Sequence, residues 1–145
     1  MEKKITVLLV DDHSLVRRGF RRMLEDEPDM QVVGEAGGGE ESVKLAKQLH
    51  PQVVVMDCAL PGMNGLQATR AIIENSPETA VLMLSMHSEN TWVRQAIEAG
   101  ARGYVLKNAL DLELSSVSPD ATLRIAELSS RSRAFLIQKW SNAQL

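Results

Sequence analysis

Short apolar runs and helically spaced apolar residues take turns along the chain from Ile5 to Leu106. Ile5 to Val10 is nearly continuous in apolar residues and stops at Asp11-Asp12, the pattern of a short strand buried on both faces. From Ser14 to Glu25 the residues Leu15, Val16, Gly19, Phe20, Met23 and Leu24 recur at helical spacing, with Arg17, Arg18, Arg21 and Arg22 between them. Met30 to Ala36 predicts a second strand and Gly37-Gly38-Gly39 the turn after it. Glu40 to Leu49 predicts a helix with Val43, Ala46 and Leu49 inward, terminated at His50-Pro51.

Val53-Val54-Val55-Met56 is β-branched and wholly apolar and ends at Asp57. Leu60-Pro61-Gly62-Met63-Asn64-Gly65 predicts a rigid loop before a helix from Leu66 to Glu74. A strand at Ala80 to Leu84, a helix at Glu89 to Ala99 and a strand at Gly103 to Leu106 follow. Repeated strand–helix alternation of this kind predicts a mostly parallel sheet covered by helices on both faces.

Beyond Lys107 the pattern changes. Leu110, Leu112 and Leu114 alternate with Asp111 and Glu113, and Ser115-Ser116-Val117-Ser118-Pro119 interrupts any helix begun there. Ser118-Pro119-Asp120 is a good helix start, and Phe135, Leu136, Ile137 and Trp140 are more apolar than a solvated tail requires. One long or two broken helices are expected, packed on the sheet as a displaced last helix or forming a homodimer contact.

Composition narrows the function classes. The chain has 145 residues, of which 44% are hydrophobic, which excludes a disordered polymer. No apolar run is long enough to span a bilayer, and the stretch after Lys3-Lys4 is too short for a secretory h-region. Cys58 is the lone cysteine, so an internal disulfide and a multi-cysteine zinc site are excluded; a reducing, cytoplasmic setting is expected. A net charge of −3 provides no broad electrostatic footprint for nucleic acid.

In an open parallel sheet, functional groups gather at the carboxyl ends of the strands. Here those ends carry Asp11-Asp12, Asp57, Ser85 and Lys107. If the first and third strands are neighbours, three carboxylates converge on one pocket, and their mutual repulsion calls for a cation. An oxygen-only donor set of this size favours Mg²⁺. Lys107 adds positive charge suited to an anionic phosphoryl group, and Ser85 adds a hydroxyl. Together these groups describe phosphoryl transfer to an aspartate. Taken alone, Asp11 and Asp12 would also serve as caps for the helix starting at Ser14. His13, His50 and His87 do not form a metal cluster with one another, and Cys58 is expected to point into the core.

The fragments Leu9-Val10-Asp11-Asp12-His13, Asp57-Cys58-Ala59-Leu60-Pro61-Gly62-Met63-Asn64-Gly65, Leu84-Ser85 and Tyr104-Val105-Leu106-Lys107, in this order, resemble the receiver domain of two-component response regulators. The resemblance runs from Lys4 to about Asn108, and two longer stretches resemble the NarL/FixJ subgroup. It implies a flavodoxin-like, doubly wound α/β fold with five parallel strands in the order 2-1-3-4-5. It implies that Asp57 accepts a phosphoryl group from a histidine kinase. Mg²⁺ would be held by Asp11, Asp12, Asp57 and the backbone carbonyl of Ala59. Lys107 and Ser85 would then contact phosphoryl oxygens, and Tyr104 would turn inward as the switch aromatic when Ser85 moves.

The expected organisation is a receiver domain over residues 1–114 and an atypical helical tail over 115–145 in place of the usual fifth helix. Only 38 residues follow Lys107, too few for that helix and a helix-turn-helix as well, so direct contact with nucleic acid is not expected from this chain. The leading expectation is a self-phosphorylating acceptor rather than a turnover enzyme, in a protein concerned with transcription. Two others stay open. A stand-alone or pseudo-receiver would act only as a binding module. A Mg²⁺-dependent aspartyl phosphohydrolase would ordinarily need a second acid two residues after its nucleophile, where this chain has Ala59.

Overall fold

The computed structural model describes residues 5–26, 28, 30–85 and 90–106; within these, the side chains of 23, 90, 93 and 104–106 are not described. Among the described residues nine elements alternate: β1 (Ile5–Val10), α1 (Ser14–Glu25), β2 (Met30–Ala36), α2 (Gly39–Leu49), β3 (Val53–Asp57), α3 (Gly65–Asn75), β4 (Ala80–Ser85), α4 (Asn90–Glu98) and β5 (Gly103–Leu106). The strands form one sheet in the order β2-β1-β3-β4-β5, with every adjacent pair parallel. This is the expected flavodoxin-like order.

Burial follows from the strand period of two. On β1, Val7 and Leu9 join Phe20 and Leu24 of α1 in one apolar layer. Leu8 and Val10 point the other way, into a layer with Ala46 of α2, Ala68 and Ile72 of α3, and Ala96 of α4. β3 divides likewise, Val53 and Val55 to the first layer and Val54 and Met56 to the second. A strand lined by helices on both faces has no polar side, which is why β1 and β3 read as continuous apolar runs.

Helix patterning is less literal. Leu15 is 79% exposed, because helical spacing puts it on the side of α1 opposite Leu24, whose stripe with Phe20 is buried. Leu49 was expected to face inward on α2 and is 39% exposed; Ser42 is buried in that helix, its hydroxyl donating to the Gly39 carbonyl at 2.6 Å. Gly39 belongs to the first turn of α2 and not to the preceding turn. A β-carbon there would lie 2.2 Å from the Met63 carbonyl oxygen, so a glycine lets α2 approach the β3–α3 loop. His50 ends α2 in the left-handed conformation, φ 48°, with its N–H on the Ala46 carbonyl at 3.0 Å. The tail expected over 115–145, with Pro119 and Trp140, lies outside the described residues. Among those residues no helix is long and apolar enough to cross a membrane.

Candidate functional site

β1 and β3 are neighbours, with Val10 opposite Met56, so the residues that follow them emerge side by side at the carboxyl edge of the sheet. Asp11 and Asp57 are both buried there, and Asp12 is exposed. One ligand atom from each of Asp11, Asp12, Asp57 and His13 lies within 4.8 Å of the other three. The convergence expected of the three carboxylates is thus present. His13 joins the acidic pair: its Nδ1 stands 3.1 Å from Oδ1 of Asp11 and 3.1 Å from Oδ1 of Asp12. The signal for this lay in its adjacency to the acidic pair.

His13 is the N-cap of α1, and its own side chain makes no capping hydrogen bond. Asp11 Oδ1 instead accepts from the His13 backbone N–H at 2.8 Å, a tight turn that aims the carboxylate along the sheet edge. The Asp11 N–H donates to the Ala36 carbonyl at 3.0 Å, extending the β1–β2 ladder by one residue.

Asp57 is fixed from three directions. It pairs in register with Leu84 of β4, and the next N–H, that of Cys58, donates to the Leu84 carbonyl at 2.8 Å. The Ala59 N–H donates to Asp57 Oδ1 at 3.3 Å. The loop then folds back on itself, with the Gly65 N–H donating to the Cys58 carbonyl at 3.0 Å. Gly62 takes a left-handed φ of 70°, and Asn64 and Gln67 form a reciprocal capping box at 2.9 and 3.1 Å that starts α3. The expected rigid loop is therefore a set of named hydrogen bonds.

Ser85 ends β4 and is buried beside Cys58. Burial pushes the Cys58 thiol up and the charge of Asp57 adds to the effect, against a hydrogen bond with the Ser85 side chain. Cys58 faces the core as expected. Tyr104 lies in β5 opposite Met83, its side chain beyond what is described. Lys107 and His87 lie outside the described residues.

Sequence reasoning passed over a second charged cluster beneath the acidic edge. Arg17 Nε donates to Glu35 Oε1 at 2.8 Å, Arg21 pairs with Glu35 Oε2, and Arg21 Nε meets Glu25 Oε1 at 2.6 Å. The available signal was the four-residue spacing of Arg17 and Arg21, which places both on one helix face.

Ligands sharing one Mg²⁺ at 2.0–2.1 Å lie roughly 3–4 Å apart. Carboxylate oxygens already within 4.8 Å fit such an ion with small adjustment, and the exposed side at Asp12 leaves room for water ligands. The chemistry of the donor set is that of a hard cation.

Residues 7–117 match the family described as response regulator receiver domain. The chain belongs to this family. The receiver is 46% identical over 112 residues to the response regulator UvrY of Escherichia coli strain K12, an alignment covering 77% of this chain and 51% of that protein. Among solved structures it is similar to the response regulator domain of Thermotoga maritima CheB, with a TM-score of 0.81 and 30% identity over 90% of this chain and 99% of that one. The receiver domain of the response regulator NarL from Mycobacterium tuberculosis gives a TM-score of 0.72 and 36% identity, covering 83% of this chain and 97% of that one. The receiver spans about half the length of the curated relatives it matches.

Proposed function

We propose that this receiver takes a phosphoryl group on Asp57 from the phosphohistidine of a histidine kinase and passes the change to a partner or dimer surface. The observation that carries the reading is the packing of Asp11, Asp12 and Asp57 around one point at the carboxyl edge of the sheet. An Asp57 carboxylate oxygen attacks phosphorus, the phosphorus–nitrogen bond of the donor breaks, and the leaving imidazole recovers a proton. Asp11, Asp12, Asp57 and the Ala59 carbonyl would hold Mg²⁺, whose charge offsets that of the transferred phosphoryl oxygens. The hydrogen bonds at Cys58 and Ala59 hold the Asp57 backbone and carboxylate in place, so little ordering is left for the moment of reaction. Hydrolysis reverses the modification when water attacks phosphorus and the acyl phosphate oxygen leaves as the Asp57 carboxylate. Ala59 provides no side chain to activate that water, which favours a lasting signal over turnover.

The acyl phosphate adds roughly −1.5 to −2 charges. Ser85 and Lys107 are the groups we assign to the added oxygens, and Tyr104 on β5 is the aromatic that reports the shift. Movement of Ser85 would exchange its Cys58 hydrogen bond for one to phosphate, tying the event to β4 and β5. We take residues 1–114 as the receiver unit, acting in the cytoplasm, with control of transcription as its output.

The test is incubation of the full chain with a small acyl phosphate donor and Mg²⁺, read by intact mass. Gain of one phosphoryl group, lost in Asp57→Asn, is the expected result. No gain with donor and metal both present would make the chain a binding module. Repeated turnover of phosphate esters would make it a hydrolase.

A further inference from the structure

We propose that Arg17 is the positioning residue of the acidic site, holding the Asp11 backbone so that Asp11 and Asp12 face Asp57. This rests on the phosphoacceptor reading above and concerns the same site. Arg17 Nη1 donates to the Asp11 backbone carbonyl at 2.5 Å, while Nε of the same group donates to Glu35 Oε1 at 2.8 Å. The Asp11 N–H is held by the carbonyl of Ala36, the residue after Glu35. A closed circuit results, from Asp11 through Ala36 and Glu35 to Arg17 and back to Asp11. Both backbone polar groups of Asp11 are tied, which fixes the peptide joining it to Asp12 and hence the direction of both carboxylates.

Charge placement supports the role. An arginine this close to an acidic pocket would be drawn into it as an internal counterion and would compete with an incoming cation. Glu35 prevents that by pairing with the guanidinium from below, and Arg21, one helical turn on, anchors the second Glu35 oxygen. Arg17 and Glu35 are both only about a quarter exposed, so the pair is shielded more than a surface ion pair. A planar fork presents two nitrogens at a fixed spacing to the two acceptors, whereas a lysine presents a single nitrogen to both.

The experiment is Mn²⁺ binding to the full chain, followed by the paramagnetic resonance signal of the free ion, with thermal melting alongside. Wild type, Arg17→Gln, Arg17→Lys and Asp12→Asn are compared. Arg17→Gln is expected to raise the Mn²⁺ dissociation constant on the order of tenfold, the usual size of an effect on metal ligands exerted through a supporting hydrogen bond. Arg17→Lys is expected to raise it by a smaller factor, and the metal requirement for phosphoryl acceptance should shift with each. Should Arg17→Gln fail to fold, Arg17→Lys alone decides. A dissociation constant within about twofold of wild type in the folded variants, whatever their melting temperature, would reduce Arg17 to a tether of α1 and overturn the proposal. Equal binding by wild type and Asp12→Asn would overturn the acceptor-site reading as well. Loss in Asp12→Asn with unchanged Arg17 variants would overturn only the positioning role.

Discussion

Gly65, the first residue of α3, lies against the backbone of Asp57: a β-carbon on Gly65 would sit 2.2 Å from the Asp57 carbonyl oxygen and 2.8 Å from the Cα of Cys58. The helix therefore abuts the acceptor residue itself, with backbone rather than flexible side chain in the way. Gly65→Ala is expected to destabilise the chain by about 1–3 kcal/mol, the cost of overpacking a fixed contact. Because the atoms displaced belong to Asp57 and Cys58, phosphoryl acceptance should slow in the same variant. Urea unfolding and the time course of intact-mass labelling check both; an unchanged midpoint would show that α3 retreats freely.

The Glu35 carboxyl sits below its ordinary range. Burial pushes it up, but hydrogen bonds from Arg21 and Arg17 outweigh burial and hold it charged. A carboxyl lowered in the folded state stabilises fully above its unfolded value and loses that contribution as pH falls through the folded one. Glu35→Gln should cost about 1 kcal/mol at pH 7, given the partial exposure of the partners. The gap from wild type should close as pH falls from about 5 towards 3. Urea midpoints of both proteins across that window measure it, and a constant gap would contradict the assignment.

Cys58 should resist alkylation in the native chain near neutral pH. Burial and the Asp57 charge both hold its thiol protonated, and the thiolate is the reactive form. Labelling with iodoacetamide is expected to be slow without urea and rapid above the unfolding midpoint. Prompt native labelling would place the thiol at the surface.

Leu15 and Leu24 stand on opposite sides of α1, one exposed and the other fully buried. Leu15→Ala should change stability by no more than about 0.5 kcal/mol. Leu24→Ala should cost about 2–5 kcal/mol through the cavity it leaves between α1 and the sheet. Paired urea titrations would expose a wrong placement of α1 if the two costs were similar.

The sequence by itself determined the elements and the strand ends. β1, α1, β2 and β5 fall where the hydrophobic pattern puts them, and β1 and β3, buried between helices on both faces, run apolar up to Asp11 and Asp57. Chemistry at those ends was legible for the same reason: carboxylates do not belong inside an apolar run, so Asp11, Asp12 and Asp57 stood out as residues kept for another purpose. Periodicity set Leu15 opposite Leu24 but left Ser42 and Leu49 undecided; which of those two met the sheet depended on how far α2 rotates about its axis, and Ser42 is buried with Ala46 while Leu49 is partly exposed. The fold alone decided that Asp57 comes close to Asp11 and Asp12 and that Arg17 reaches both the Asp11 carbonyl and Glu35. Those contacts join residues from adjacent strands and a helix, and local sequence carries no record of a distance set by parallel pairing across intervening helices.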